Sequence, residues 1–122
     1  MKALKITEPG SLDIYNVAMP QYGPEDILIK VNYVGFCGSD LRTYLGKNPL
    51  ISYPRIPGHE LSGIIEGKGE DVPRSFQMSS AVTVIPYTSC GECASCQRGR
   101  YNACRYNQTM GIQRDGAMQE YI

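Results

Sequence analysis

Four of the five cysteines fall within fifteen residues, Cys90, Cys93, Cys96 and Cys104, in the run CGECASCQRGRYNAC. Thiolates this close on tight turns can converge on one tetrahedral ion, which is the arrangement of a structural Zn²⁺ site. Gly91, Ala94 and Ser95 are small enough for the backbone to fold back between the sulfurs, and Gly99 and Asn102 supply further turn chemistry. Two other uses of cysteine compete. Disulfides would suit a secreted chain, but neighbouring cysteines make poor disulfide partners. An iron–sulfur cluster of the closely spaced type needs a nearer fourth cysteine followed by proline, and here Arg105 follows. The expectation is one closed zinc lobe over residues 88–106.

A second constellation is sparser. Cys37 lies in VGFCGSD, and His59, the only histidine, lies in PGHE with Glu60 beside it. Cysteine and histidine are both borderline-soft zinc ligands, and a carboxylate can add an oxygen donor. Taken singly, a lone histidine is more often structural, and a lone cysteine is more often a small core residue.

Whatever does chemistry here must be positioned by short elements. The 122 residues include thirteen glycines and eight prolines, which punctuate β-like runs, and no long helical periodicity is present. Strands are predicted over 1–7, 12–19, 26–36, 61–66 and 81–87, with another beginning at 119–122. In DILIKVNYVGF, Ile27, Ile29, Val31 and Tyr33 share one predicted face, with Lys30 and Asn32 on the other. A short helix is predicted over 39–45, with Ser39 as N-cap and Gly46 as its stop. The pattern is that of a mainly β, partly open barrel with little helix.

Forty-two per cent apolar residues allow a single modest core. Twelve basic residues balance twelve acidic ones, leaving no electrostatic footprint for nucleic acid or an anionic membrane. No secretory leader or bilayer-spanning run is visible, and metal-bound, reduced cysteines imply a cytoplasmic location. The run DGAMQEYI reads as a continuing strand, so the chain is expected to be the N-terminal part of a longer protein.

The stretch GHELSGIIEGKGEDV, from Gly58 to Val72, fits the zinc alcohol dehydrogenase signature G-H-E-x2-G-x5-G-x2-V. With CGSD upstream and the four-cysteine lobe downstream, nearly the whole chain resembles the zinc-dependent medium-chain alcohol and polyol dehydrogenases. The resemblance implies their N-terminal catalytic domain, a GroES-like partly open β-barrel over residues 1–122, with the NAD(P)-binding Rossmann domain outside this chain. It makes Cys37 and His59 ligands of a catalytic zinc, with Glu60 either ligating it or swinging in during ligand exchange. Asp40 would accept the other ring N–H of His59, or serve as a turn-forming aspartate. Ser39 would relay the substrate's proton, a role one hydroxyl could not readily combine with capping the helix. Cys90, Cys93, Cys96 and Cys104 would hold the structural zinc.

Three departures from the family stand out. Arg42 occupies a position where members often carry a proton-relaying histidine; a guanidinium cannot exchange a proton near neutral pH, but it could contact an anionic substrate or simply cover the barrel. Ser79-Ser80 replaces the usual Gly-Asp turn. No G-x-G-x-x-G fingerprint or remaining catalytic ligand occurs in these residues. The expected function is oxidation of a secondary alcohol, a sugar alcohol or similar, with hydride transfer to NAD(P)⁺ in a homodimeric or homotetrameric parent. The fragment alone should be inactive. The polyol preference rests on CGSD and on RDGAMQEY, including Arg114-Asp115-Gly116; a threonine or simple alcohol dehydrogenase would share most of these residues. From another class, a zinc-stabilised binding module is the alternative, which salt-dependent DNA binding would favour.

Overall fold

The Pro9-Gly10 turn folds β1 (Lys2–Glu8) onto β2 (Ser11–Asn16), with Gly10 in the left-handed region at φ 81°. A computed structural model describes all 122 residues. The hairpin is antiparallel from Lys2↔Asn16 to Glu8↔Ser11. β2 ends before the predicted Met19 because its partner runs out: the Val17 N–H already reaches the carbonyl of Met1 (2.9 Å).

A second antiparallel sheet has the order β3 (Ile27–Gly35), β4 (Glu60–Lys68), β5 (Ala81–Val82). The predicted alternation along β3 fails at Tyr33, which is 77% exposed. Its cause is a bulge. Val31 pairs with Gly63 and Tyr33 with Ser62, so Asn32 is the extra residue, and the side chains beyond it change face. Val34 rather than Tyr33 then packs on the core of Ile29, Leu61, Met110 and Ala117. β5 is also shorter than the predicted run to Tyr87. Inward-outward alternation persists through Val84, but the Thr83 hydroxyl takes the Leu61 carbonyl (2.8 Å) and Pro86 has no N–H to offer.

Between β3 and β4 lies the single α-helix, α1 (Gly38–Tyr44), ended by Gly46 at φ 71°. Its N-cap is Cys37, not Ser39 as the sequence suggests. The Asp40 carboxylate at the third helical position accepts the Cys37 N–H (2.9 Å), which closes the helix start two residues earlier.

The C-terminal segment joins the two sheets. Ala3 bridges Gln119 on one side and Lys30 bridges Tyr121 on the other, and Ile29 and Ile122 exchange backbone hydrogen bonds of 2.8 and 3.0 Å. This closure produces the partly open barrel. No helix is long and apolar enough to cross a membrane.

Ser79 keeps the left-handed conformation of the turn it occupies, at φ 63°, while its N–H donates to Ile65 and Ile65 donates to Ser80. An L-residue with a Cβ is disfavoured there by roughly 1 kcal/mol. Ser79→Gly should therefore raise unfolding free energy by about 1 kcal/mol, read from urea denaturation midpoints at constant slope.

Candidate metal centres

The four lobe sulfurs lie within 4.8 Å of one another. Local geometry brings them there. After Cys90, Gly91 turns at φ 75°, and a 3₁₀ turn over Cys96–Arg98 ends at Gly99 with φ 71°. A second 3₁₀ turn, Tyr101–Ala103, returns the chain to Cys104. The base is clasped by polar bonds: Thr88 N–H donates to Asn107 Oδ1 (3.0 Å) and Gln108 N–H donates to Thr88 Oγ1 (2.7 Å). Backbone amides also point at sulfur, from Cys90 and Tyr106 to Cys104 Sγ and from Cys93 to Cys90 Sγ, each at 3.4 Å.

These amides tune the thiols. The Arg105 N–H, aided by that of Cys96, holds the Cys93 thiol down at about 6. Amide donation, chiefly from Cys90, also lowers Cys104. Burial, and after it the hydrogen bond shared with Cys93, instead push Cys96 up to about 12. The amide-facing thiols of Cys93 and Cys104 thus give up a proton more readily, while buried Cys96 holds its own. Four sulfur donors around one point fit Zn²⁺, whose capture would require Cys96 to give up its proton.

The second group comes from distant segments. Ligand atoms of Cys37, His59 and Glu60 also lie within 4.8 Å of one another. Cys37 stands at the junction of β3 and α1, whereas His59 immediately precedes β4 and Glu60 begins it. The Asp40 carboxylate, 3% exposed, ties the two segments: it accepts Cys37 N–H through Oδ2 and Gly58 N–H through Oδ1 (3.1 Å). Oδ1 also faces His59 Nδ1 at 3.7 Å, beyond a hydrogen bond, so Nδ1 is buried without a partner. On the other side of the ring, Ser39 Oγ is 3.4 Å from Nε2. A mixed sulfur, imidazole and carboxylate set of three donors suits a zinc ion that is not fully enclosed by this chain's donors.

Arg42 is exposed and turns its Nη2 to the Lys47 carbonyl (3.1 Å), beyond the end of α1. Sequence reasoning left the stretch around Asp115 without a mechanical role; in the structure it packs directly against the residues preceding His59. The aspartate and glycine of RDGAMQEY were the only sequence signal for it.

Metal analysis of the purified protein should find zinc at the lobe, and Cys96→Ser should remove that ion and unfold residues 88–106. Because a proton must leave Cys96, zinc uptake should release protons and weaken as pH falls, measurable by chelator competition in buffers of different ionisation enthalpy. A folded wild-type protein free of zinc after metal-replete expression would overturn the lobe assignment.

The alcohol dehydrogenase GroES-like domain family matches residues 23–122. An uncharacterized zinc-type alcohol dehydrogenase-like protein of Haemophilus influenzae is 38% identical over 122 residues, all of this chain and 36% of that protein. L-galactonate-5-dehydrogenase of Escherichia coli is 36% identical over 122 residues, again all of this chain and 36% of the relative. Among solved structures, the Escherichia coli alcohol dehydrogenase RspB complexed with NADH superimposes with a TM-score of 0.91 at 36% identity, over 100% of this chain and 35% of that one. The chain thus spans about a third of the length of these relatives. Sequence match and shared barrel agree: this chain belongs to the alcohol dehydrogenase GroES-like domain family.

Proposed function

We propose that these residues form the metal-holding catalytic domain of a zinc-dependent dehydrogenase that oxidises a secondary alcohol, with hydride passing to NAD(P)⁺. The observation that carries this reading is the convergence of Cys37, His59 and Glu60 beside a hydroxyl, Ser39, and a buried carboxylate, Asp40. When bound, zinc supplies Lewis-acid polarisation of the substrate oxygen. Cys37 Sγ and His59 would hold the ion, with Glu60 as a third donor. Asp40 holds the backbone on both sides of the site, through the amides of Cys37 and Gly58, and faces His59 Nδ1 at 3.7 Å. Ser39 Oγ, freed from capping the helix, would take the substrate's proton while giving its own hydroxyl proton to solvent water, since Arg42 cannot act as the acceptor. Nicotinamide binding is assigned to parts of the protein outside these residues, which contain no dinucleotide fingerprint, so the 122-residue chain alone should be inactive.

The finer reading is a polyol substrate carrying an anionic group. Support comes from Arg42, which stands at the i+3 position from Ser39 on α1 and is therefore its neighbour on the helix surface. L-galactonate-5-dehydrogenase, by its name, acts on a carboxylated polyol.

In the complete protein, His59→Ala should abolish alcohol oxidation while the lobe keeps its zinc; retained turnover would refute the catalytic assignment. Arg42→Met should raise KM for a sugar acid or sugar phosphate about tenfold, as loss of a charge-assisted contact would, while leaving kcat and neutral polyols unchanged. Equal effects on neutral and anionic substrates would remove Arg42 from recognition.

A further inference from the structure

The backbone from Arg55 to Gly58 carries His59 to the edge of β4, and every polar group along it is used. Arg55 exchanges two 2.9 Å hydrogen bonds with Ile6 of β1. Ile56 N–H donates to Asp115 Oδ1 (3.0 Å), and Ile56 C=O accepts from Gly116 N–H (2.7 Å). Pro57 has only a carbonyl to satisfy, and it accepts from Met118 N–H (3.0 Å). Gly58 N–H donates to Asp40, and its carbonyl accepts from Ala117 N–H (2.9 Å). Thus Asp115, Gly116, Ala117 and Met118 each supply one partner. Gly58 itself is held at φ 96°, and a Cβ on Gly116 would collide with the carbonyls of Pro57 and Gly58.

We infer that Asp115 is a positioning residue for the His59 metal site, acting through the Ile56 amide, and that residues 115–118 form a latch fixing the peptide from which His59 projects. This rests on the reading of Cys37 and His59 as metal ligands. The carboxylate also meets Arg55 Nη1 at 3.2 Å, but Asp115 is about half exposed and that ion pair is the weaker part. The buried side of the interaction is the amide. Without an acceptor, the Ile56 N–H loses its partner and the 55–58 segment loses the bond nearest its entry into the site. The aspartate and glycine of the RDGAMQEY run thereby acquire a mechanical role that does not depend on the substrate.

The test compares Asp115→Ala, Asp115→Asn and Arg55→Met in the complete protein with its lobe zinc in place. Cobalt(II) is titrated and followed by its thiolate charge-transfer and d–d absorption. Asp115→Ala should weaken cobalt binding at the Cys37/His59 site about tenfold, the scale of losing an outer partner of a metal ligand. Lobe affinity should not change. Asp115→Asn, whose Oδ1 can still accept from Ile56, and Arg55→Met, which spares that acceptor, should stay within about threefold of wild type. A loss in Arg55→Met equal to that in Asp115→Ala, or no loss in Asp115→Ala, would overturn the proposal. Amide hydrogen exchange at Ile56 and Gly58 needs no metal: both should exchange faster in Asp115→Ala and near the wild-type rate in Asp115→Asn. Should Asp115→Ala not fold, unaltered exchange and affinity in Asp115→Asn together with a loss in Asp115→Leu at partial folding temperature support the latch, and a full loss in Asp115→Asn overturns it. If wild type binds no cobalt outside the lobe, the metal reading fails while exchange still decides the latch.

Discussion

The Asp40 carboxylate is almost fully buried, and a buried carboxylate is tolerated only when its oxygens are satisfied. Both oxygens are. Oδ2 takes the amide that starts α1, Oδ1 takes the amide of Gly58, and the same Oδ1 faces His59. One buried side chain therefore ties together the backbone segments that carry Cys37 and His59, which are far apart in sequence. Moving either segment would strip a hydrogen bond from a charge with little water to replace it. This makes the geometry resistant to drift even without an ion bound, and it places the helix start and the chain entry to β4 in one mechanical unit.

The two donor sets differ in how they are held. Lobe sulfurs are brought together by turns inside one short stretch, and adjacent amides act on them directly. The Cys37/His59 site draws on the end of β3, the start of α1, the chain before β4 and residues 115–118. Its integrity depends on closure of the barrel, because the segment that bonds to Pro57 and Gly58 is continuous with the one that bridges β1 to β3. Fold and site are thus coupled at Cys37 and His59 and largely independent at the lobe.

That difference explains what was legible in the sequence. The lobe could be read from spacing alone, since its geometry is local. Cys37, His59 and Glu60 could be singled out by residue type, but their meeting came only from resemblance, because no local periodicity encodes a contact across the barrel. Strand existence was legible along most of the chain. Strand detail was not: the Asn32 bulge reverses the faces of Tyr33 and Val34, and nothing in DILIKVNYVGF announces an extra residue. Ser39 was misread as the helix cap because serine favours that position, whereas the aspartate one residue later reaches back to Cys37 and outcompetes it. The left-handed turn at Ser79 was obscured in the opposite sense, as its residue type gives no sign of the conformation.

The glycine-rich signature around His59 can now be argued from contacts rather than pattern. Gly69 packs so tightly against the carbonyls of Gly23 and Pro24 that a Cβ would collide with both, and its N–H donates to Asp26 (2.9 Å). Gly58 holds a positive φ while its two peptide groups bond to Asp40 and Ala117. One glycine secures the far end of β4 and the other its near end, so the strand that carries Glu60 is pinned at both limits. Pinning does not extend to the ring: His59 Nδ1 remains without a hydrogen bond, 3.7 Å from Asp40. The backbone is therefore set to within a bond's tolerance, while no hydrogen bond to Nδ1 sets the tilt of the imidazole itself.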